Sequence, residues 1–351
     1  MSDGYRQQNS ADVPDDEWDA FLQKCPKSHH EQSSRYAANR VEHGFQCDRA
    51  VVRDNGVIIG GVQVLVQPTP VGKFARIFRG PIAINEDPVL MRQVVQQLEQ
   101  VAEARGYASV RVDLFPDQEV ACEALKAAGF FPTLAWYREK ESFVIPLSLA
   151  DEELLDRMDK KVSYYVRRAD RDGITVRAGE NAELGDFYRM HQKTASYQGF
   201  PLFPYDYFNY LWNLFGKLGR AQYFVAYHQG NSLAAIFNVV VGSSMYYGWG
   251  GMRRDPEAKK MQVNYLLHMT AVAWARKHGL ACYDLSGTQT FKKQFALETV
   301  RWPWPLRKFY GPARTLRHKM LELTGSRPRL RRLVNGVAKL GGVCQKNEIP
   351  W

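Results

Sequence analysis

A chain of 351 residues with 45% hydrophobic and 24% charged side chains can form one large or two ordinary domains, and it is not a disordered polymer. Its five cysteines form no CxxC pair and its eight histidines show no HxxxH or HExxH spacing, which argues against a disulfide framework or zinc site, so no metal is expected. The net charge of +10 is concentrated: residues 301–340 hold 11 Lys/Arg and one Glu, and removing these from totals of 47 and 37 leaves 36 of each sign, so a polyanion or anionic surface is implied there.

The first 12 residues are polar, and the longest apolar run, near Leu233 to Val241, is far short of a bilayer span. A cytoplasmic location is expected. From Asp16 to about Pro146 helical and strand patterns alternate. An amphipathic helix lies around Trp18 to Lys24. A hairpin of Arg49–Arg53 and Val57–Val66 turns at Asp54-Asn-Gly56. A helix from Pro88 to Arg105 is closed by Gly106, Ser109–Asp113 is a short strand, and a helix from Glu119 to Ala128 is closed by Gly129.

The order repeats after Leu149, with a basic helix from Asp151 to Asp172 and an amphipathic helix around Asp186 to Thr194. A hairpin from Gln222 to Tyr247 then turns at Gln229-Gly-Asn231, and a long helix runs from about Val263 to His278, ended by Gly279. Ala281-Cys-Tyr-Asp284 then matches Ser109–Asp113 in kind, each a short strand ending in Asp after a Gly-capped helix. Two halves with one plan suggest duplication. The expected division is residues 1–147, 148–312 and a basic C-terminal segment, 313–351, that packs back on the first domain, extends a nucleic-acid surface or touches an anionic membrane.

Read in this order, the chain resembles the FemABX family of aminoacyl-tRNA-dependent peptidyltransferases. These build peptidoglycan cross-bridges on two tandem GNAT-like (acetyltransferase-like) domains of the α/β (α+β) class. Gln32-Ser-Ser-Arg-Tyr-Ala-Ala-Asn-Arg40 is similar to the family's Gln-Ser-x-x-Trp-x-x-x-Lys helix, with Tyr36 for Trp and Arg40 for Lys. Tyr165–Val176 is similar to its Arg-x-x-Ile-Arg-Lys-Ala-x-x-x-Gly-Val segment. The most specific piece is Ala281-Cys-Tyr-Asp284-Leu-Ser-Gly287 followed by Phe291-Lys292-Lys293-Gln-Phe295, which resembles Tyr-Asp-x-x-Gly and Phe-Lys-x-x-Phe-Gly.

Amide formation from an amino-acid ester needs an unprotonated amine and a positive group near the developing oxyanion. Lys292 suits the second task. Asp113 ends a strand, where α/β sheets present ligand-contacting groups, and the resemblance implies a substrate-orienting carboxylate there. Asp284 sits equivalently but suits a turn cap better. The resemblance also implies acceptor contacts at Tyr246, Tyr247, Trp249, Phe291 and Tyr207, with Tyr247 and Trp249 sharing one strand face. It further implies that Arg40 holds substrate phosphate.

Lys160, Lys161, Arg167 and Arg168, interleaved with Tyr164 and Tyr165, together with Lys293, suit the phosphates of a tRNA acceptor stem. Aminoacyl-tRNA would then be a co-substrate and no cofactor is expected. The acceptor would be a peptidoglycan precursor or another amine-bearing small molecule. The segment Tyr197–Tyr205 lacks the basic residues that family members often place there, which argues against a phosphate-bearing acceptor.

Two alternatives stay open. An acyl-CoA N-acyltransferase shares the fold, but its Arg-x-x-Gly-x-Gly/Ala pyrophosphate loop has no match in Arg253–Asn264 or around Arg76–Pro81. A non-catalytic RNA-binding protein would explain the basic segments but not the Asp and Phe-Lys pattern.

Overall fold

The computed structural model describes residues 13–133 and 141–311. In chain order the elements are α1 (Asp15–Lys24), α2 (Ser34–Val41), β1 (Gln46–Asp54), β2 (Val57–Thr69), β3 (Gly72–Phe78), β4 (Ile82–Ala83), α3 (Pro88–Ala104), β5 (Tyr107–Asp113), α4 (Glu119–Ala127) and β6 (Phe131–Pro132). There follow β7 (Glu141–Pro146), α5 (Asp151–Arg157), α6 (Lys160–Arg171), β8 (Thr175–Ala178), α7 (Leu184–Gln198), α8 (Tyr205–Phe215), β9 (Ala221–His228) and β10 (Asn231–Val241). The last are β11 (Ser244–Met252), α9 (Pro256–Met261), α10 (Asn264–Lys277), β12 (Cys282–Asp284), β13 (Glu298–Arg301) and β14 (Leu306–Phe309).

Local chemistry sets several of these bounds. Asn55 and Gly56 take positive φ values of 47° and 84°, as a tight two-residue hairpin requires. Asp87 accepts from the Val89 and Leu90 amides ahead of Pro88, which fixes the start of α3. The basic helix expected over 151–172 is instead two helices. Met158 is extended and buried, and Asp159 caps the Lys161 amide, so the chain restarts at Lys160.

The chain divides into two compact units, Met1–Glu139 with Trp302–Trp351, and Lys140–Arg301. The first unit has a sheet in the order β1-β2-β3-β5-β14-β6, with β4 on β2, and the second β13-β7-β12-β11-β10-β9-β8. Each contains one parallel pair, β3 with β5 and β11 with β12. Each short strand of that pair is flanked on its other side by an antiparallel strand, β14 on β5 and β7 on β12. Ser109–Asp113 and the strand ending at Asp284 are therefore topological equivalents.

The boundaries differ from those expected. Strand β7 precedes residue 147 yet completes the second sheet, and β14 precedes residue 312 yet completes the first. Without these strands β5 and β12 would each expose an unpaired backbone edge. The proposed role of residues 313–351 lies outside the described residues.

The first core packs the apolar stripe of α3 (Leu90, Val94, Leu98, Val101) on Val64, Val66, Ile77, Val110 and Val112. The second packs α10 through Leu267, Ala271 and Ala275 with Val162, Phe224, Ile236 and Tyr283. Among the described residues no helix is long and apolar enough to cross a membrane.

Candidate functional site

Register gives the second unit an opening that the first lacks. Strands β3 and β5 end flush, with Phe78 opposite Asp113. Strand β11 pairs with β12 only from Ser244 to Tyr246, opposite Cys282 to Asp284, and then continues to Met252 paired with β10 but no longer with β12. The backbone beyond Tyr246 borders a wedge where β12 has ended.

Lys292 belongs to this region. Asp284 Oδ1 accepts from the Ser286 amide at 2.6 Å and from the Ser142 hydroxyl, and Ser142 Oγ accepts from the Gly287 amide at 2.8 Å. The carboxylate so fixes the turn in which Ser286 takes a φ of 54°. This is the turn-capping role expected for Asp284. Lys292 Nζ donates to the Ser286 carbonyl at 3.1 Å and lies 5.0 Å from the centroid of the Tyr247 ring. Only 9% of Lys292 is exposed. Burial pulls its ammonium pKa down to about 8, a shift that the Asp284 carboxylate partly opposes.

The floor of this region is a buried polar chain. Asn238 Nδ2 donates to the Gln222 carbonyl, so its Oδ1 accepts from the Tyr283 hydroxyl at 3.1 Å. The Tyr283 oxygen then accepts from His268 Nδ1 at 2.9 Å, which assigns the ring proton to Nδ1 and leaves Nε2 as an acceptor. Burial, assisted by the nearby Lys292 charge, pushes the imidazole down to about 3, so His268 is neutral at physiological pH. Its ring meets Tyr247 edge-on at 4.9 Å, and burial raises the Tyr247 phenol to about 12.

The predicted substrate residues separate into groups. Phe291 joins the Lys292 region, 5.9 Å from His268 and 5.4 Å from Tyr265. Tyr247 and Trp249 do not share a face. Phe237 opposes Trp249 while Asn238 opposes Tyr247, so Gly248 is the extra residue of a bulge and reverses the alternation. Tyr247 meets His268 and Lys292, whereas Trp249 packs against Phe208 at 5.3 Å and Phe237 at 5.8 Å. Tyr207 is fully buried in that second cluster, stacked on Phe203 at 4.2 Å, and Tyr246 is buried as well. Tyr207 and Trp249 are therefore placed as core, and the surface offered at Lys292 is that of Tyr247 and Phe291.

Of the residues assigned to tRNA, Lys160, Lys161, Arg167 and Lys293 are exposed, and Arg168 pairs with Asp172 at 3.1 Å. The Asp159 amide donates to the Gln294 carbonyl at 3.0 Å, which ties the start of α6 to the Lys292–Gln294 turn. Tyr165 points inward and stacks on Tyr265 at 4.8 Å. The exposed basic side of α6 thus begins beside Lys292 and Lys293.

Asp113 and Arg40 lie in the first unit. Burial works against the Asp113 carboxylate, yet Arg76 at 3.3 Å and Arg111 at 2.8 Å hold its pKa below the usual range, so it is a poor proton acceptor. Arg40 donates to the Tyr36 hydroxyl at 2.8 Å. Sequence reasoning missed a buried group beside them: Glu31 contacts Arg79 at 3.1 Å and His29 at 3.3 Å, and Arg79 lies over Phe115 and Trp302. Burial disfavours charge on Glu31, but His29 and Arg79 keep it ionised. Only the adjacency of His29, His30 and Glu31 could have signalled it. Among the described residues no group of three or more His, Cys, Asp or Glu side chains could hold a metal ion.

Two mixed α/β units, each with one parallel strand pair, define a tandem GNAT-type fold. Residues 13–121 match the sequence profile of the FemAB family, and residues 156–293 match that of the acetyltransferase (GNAT) domain. It is 23% identical over 227 residues to the lipid II:glycine glycyltransferase of Staphylococcus haemolyticus (strain JCSC1435), covering 61% of this chain and 54% of that protein. The corresponding protein of Staphylococcus aureus (strain MRSA252) is also 23% identical over 227 residues, covering 61% and 53%. The chain therefore spans about half the length of the curated relatives it matches. The crystal structure of FemX superposes with a TM-score of 0.66 at 18% identity, over 88% of this chain and 98% of that one. A C-terminal domain of a putative lysylphosphatidylglycerol synthetase from Agrobacterium fabrum gives 0.56 at 15%, over 89% and 96%. These two likenesses concern the fold.

Proposed function

We propose that the chain is an aminoacyltransferase that joins an amino acid, delivered as its tRNA ester, to an amine of a peptidoglycan precursor. The observation that carries this reading is the buried Lys292 ammonium beside the β11–β12 wedge, braced by the Ser286 carbonyl and the Tyr247 ring. In a site of low polarity, one fixed positive donor stabilises the oxyanion of the tetrahedral intermediate far more than in water. The acceptor amine attacks the ester carbonyl, the carbon–nitrogen bond forms, and the tRNA hydroxyl leaves. No strong base is required, because desolvation deprotonates an amine readily. The curated relatives supply the substrate class, being named lipid II:glycine glycyltransferases. The exposed basic side of α6 supplies phosphate contacts next to Lys292.

Acyl-CoA as donor fits less well. The helix after β11 begins with Pro256, and the Asp255 carboxylate already accepts from the Ala258 amide at its start. A carboxylate there repels a pyrophosphate that would need those amides.

The test is transfer of radiolabelled amino acid from charged total tRNA into acid-stable product with extracted peptidoglycan precursors, with and without ribonuclease. Ribonuclease-sensitive transfer supports the reading. Transfer that occurs only with added acyl-CoA overturns it.

A further inference from the structure

The backbone that carries Lys292 is a single 3-10 turn, Lys292–Gln294. Its own bonds are few: the Lys292 amide donates to the Gln289 carbonyl at 2.8 Å, and the Phe295 amide to the Lys292 carbonyl at 3.1 Å. One isolated turn fixes many dihedral angles for few hydrogen bonds and is marginal by itself. A Lys292 ammonium held at the Ser286 carbonyl and the Tyr247 ring therefore needs support from outside the turn.

Gln294 supplies that support in two directions. Its backbone carbonyl accepts from the Asp159 amide at the start of α6, and its side-chain Oε1 accepts from the Tyr265 hydroxyl in the first turn of α10 at 2.5 Å. Packing fixes where that hydroxyl lies. Tyr265 is buried, its ring stacks on Tyr165 of α6 at 4.8 Å, and it meets Phe291 and Phe295 at 5.4 Å each. Phe291 and Phe295 flank the turn, and Phe295 is fully buried. Removing either partner of the Tyr265–Gln294 bond leaves a polar group in a poorly hydrated place, so the bond is retained.

We infer that Gln294 and Tyr265 are positioning residues for Lys292, which hold its turn against α6 and α10 so that the ammonium faces the wedge. The inference rests on the reading of Lys292 as the oxyanion donor. Neither side chain is asked to touch a substrate. Placement matters because a displacement of about 1 Å at a reacting centre can cost up to about a hundredfold in rate.

Three substitutions separate positioning from mere stability. Gln294→Leu removes the accepting oxygen and keeps the backbone bond to Asp159, Tyr265→Phe removes the donor and keeps the stacked ring, and Gln294→Glu keeps an acceptor. In the radiolabel transfer assay, kcat should fall roughly tenfold in Gln294→Leu and in Tyr265→Phe with KM for charged tRNA little changed, and Gln294→Glu should recover most of it. The double variant Gln294→Leu/Tyr265→Phe should be no slower than either single one, whereas independent effects would multiply to about a hundredfold. Wild-type kcat in folded variants, a change confined to KM, or multiplied losses overturns the inference.

A second readout needs no transfer. Reductive methylation with carbon-13 formaldehyde lets the Lys292 amine be titrated by NMR, where its lowered pKa sets it apart from surface lysines. Asp284 is held by Ser142 and the Ser286 amide, independently of Gln294, so a change reports the burial of Lys292. The Lys292 pKa should rise toward the ordinary lysine value in Gln294→Leu and in Tyr265→Phe, because a released turn exposes the ammonium to water. An unmoved pKa in folded variants overturns the inference. If the wild type transfers nothing from tRNA, the functional reading fails by itself, and the titration still decides whether Gln294 and Tyr265 hold Lys292 in place.

Discussion

Tyr247 and Trp249, two residues apart on β11, face opposite sides of the sheet because Gly248 is a bulge between them. Only Tyr247 reaches Lys292. Trp249→Ala should therefore act as a core truncation, lowering stability by about 3–5 kcal/mol in chemical denaturation. A Cβ added at Gly250 would lie 2.1 Å from the Tyr247 hydroxyl, so Gly250→Ala should displace that ring. Its kcat should fall roughly tenfold or more while the melting curve changes little. Unchanged turnover in a folded G250A protein would remove Tyr247 from the site.

Lys292→Ala should lower kcat about 10²–10³-fold, as expected for loss of one oxyanion donor, with folding intact by circular dichroism. Wild-type turnover in that variant would end its assigned role.

The pH dependence follows with a definite sign. The ammonium form of Lys292 is the donor, and its pKa is brought down by burial to about 8. Activity attributable to Lys292 should be full below pH 8 and decline as pH rises through it. A pH–rate profile that instead rises through 8 would make the neutral amine, acting as a base, the functional form.

Tyr283→Phe removes the hydroxyl that links His268 Nδ1 to Asn238 Oδ1. Two buried polar atoms then lose a partner, and stability should drop by about 1–3 kcal/mol. Denaturation midpoints that match the wild type would show that the chain of bonds is not retained in solution.

Asp113→Asn would leave Arg76 and Arg111 facing each other without the bridging carboxylate. Both arginines keep access to water, so the expected cost is about 1–3 kcal/mol in unfolding free energy. Because the folded carboxyl pKa is lowered, the stabilisation from Asp113 is present above the ordinary aspartate range and is lost as pH falls through the folded value. The wild type should therefore lose more stability than the variant on acidification, read from denaturation midpoints at several pH values.

Much of this protein was legible in the residues. Turn chemistry at Asp54–Gly56, the Asp87-Pro88 helix start and the apolar stripe of α3 act over a few neighbouring residues, so those elements fall close to where they were expected. The Asp284 and Phe291–Phe295 motifs also led to Lys292, because that turn is built from one contiguous segment. Tertiary structure decided the rest. The placement of β7 and β14 depends on edges that β12 and β5 offer from distant parts of the chain. The opposite facing of Tyr247 and Trp249 depends on register with β10, which alternation alone cannot reveal. Gln294 meets Asp159 and Tyr265 only because three segments far apart in sequence pack side by side, and that packing is a property of the assembled unit.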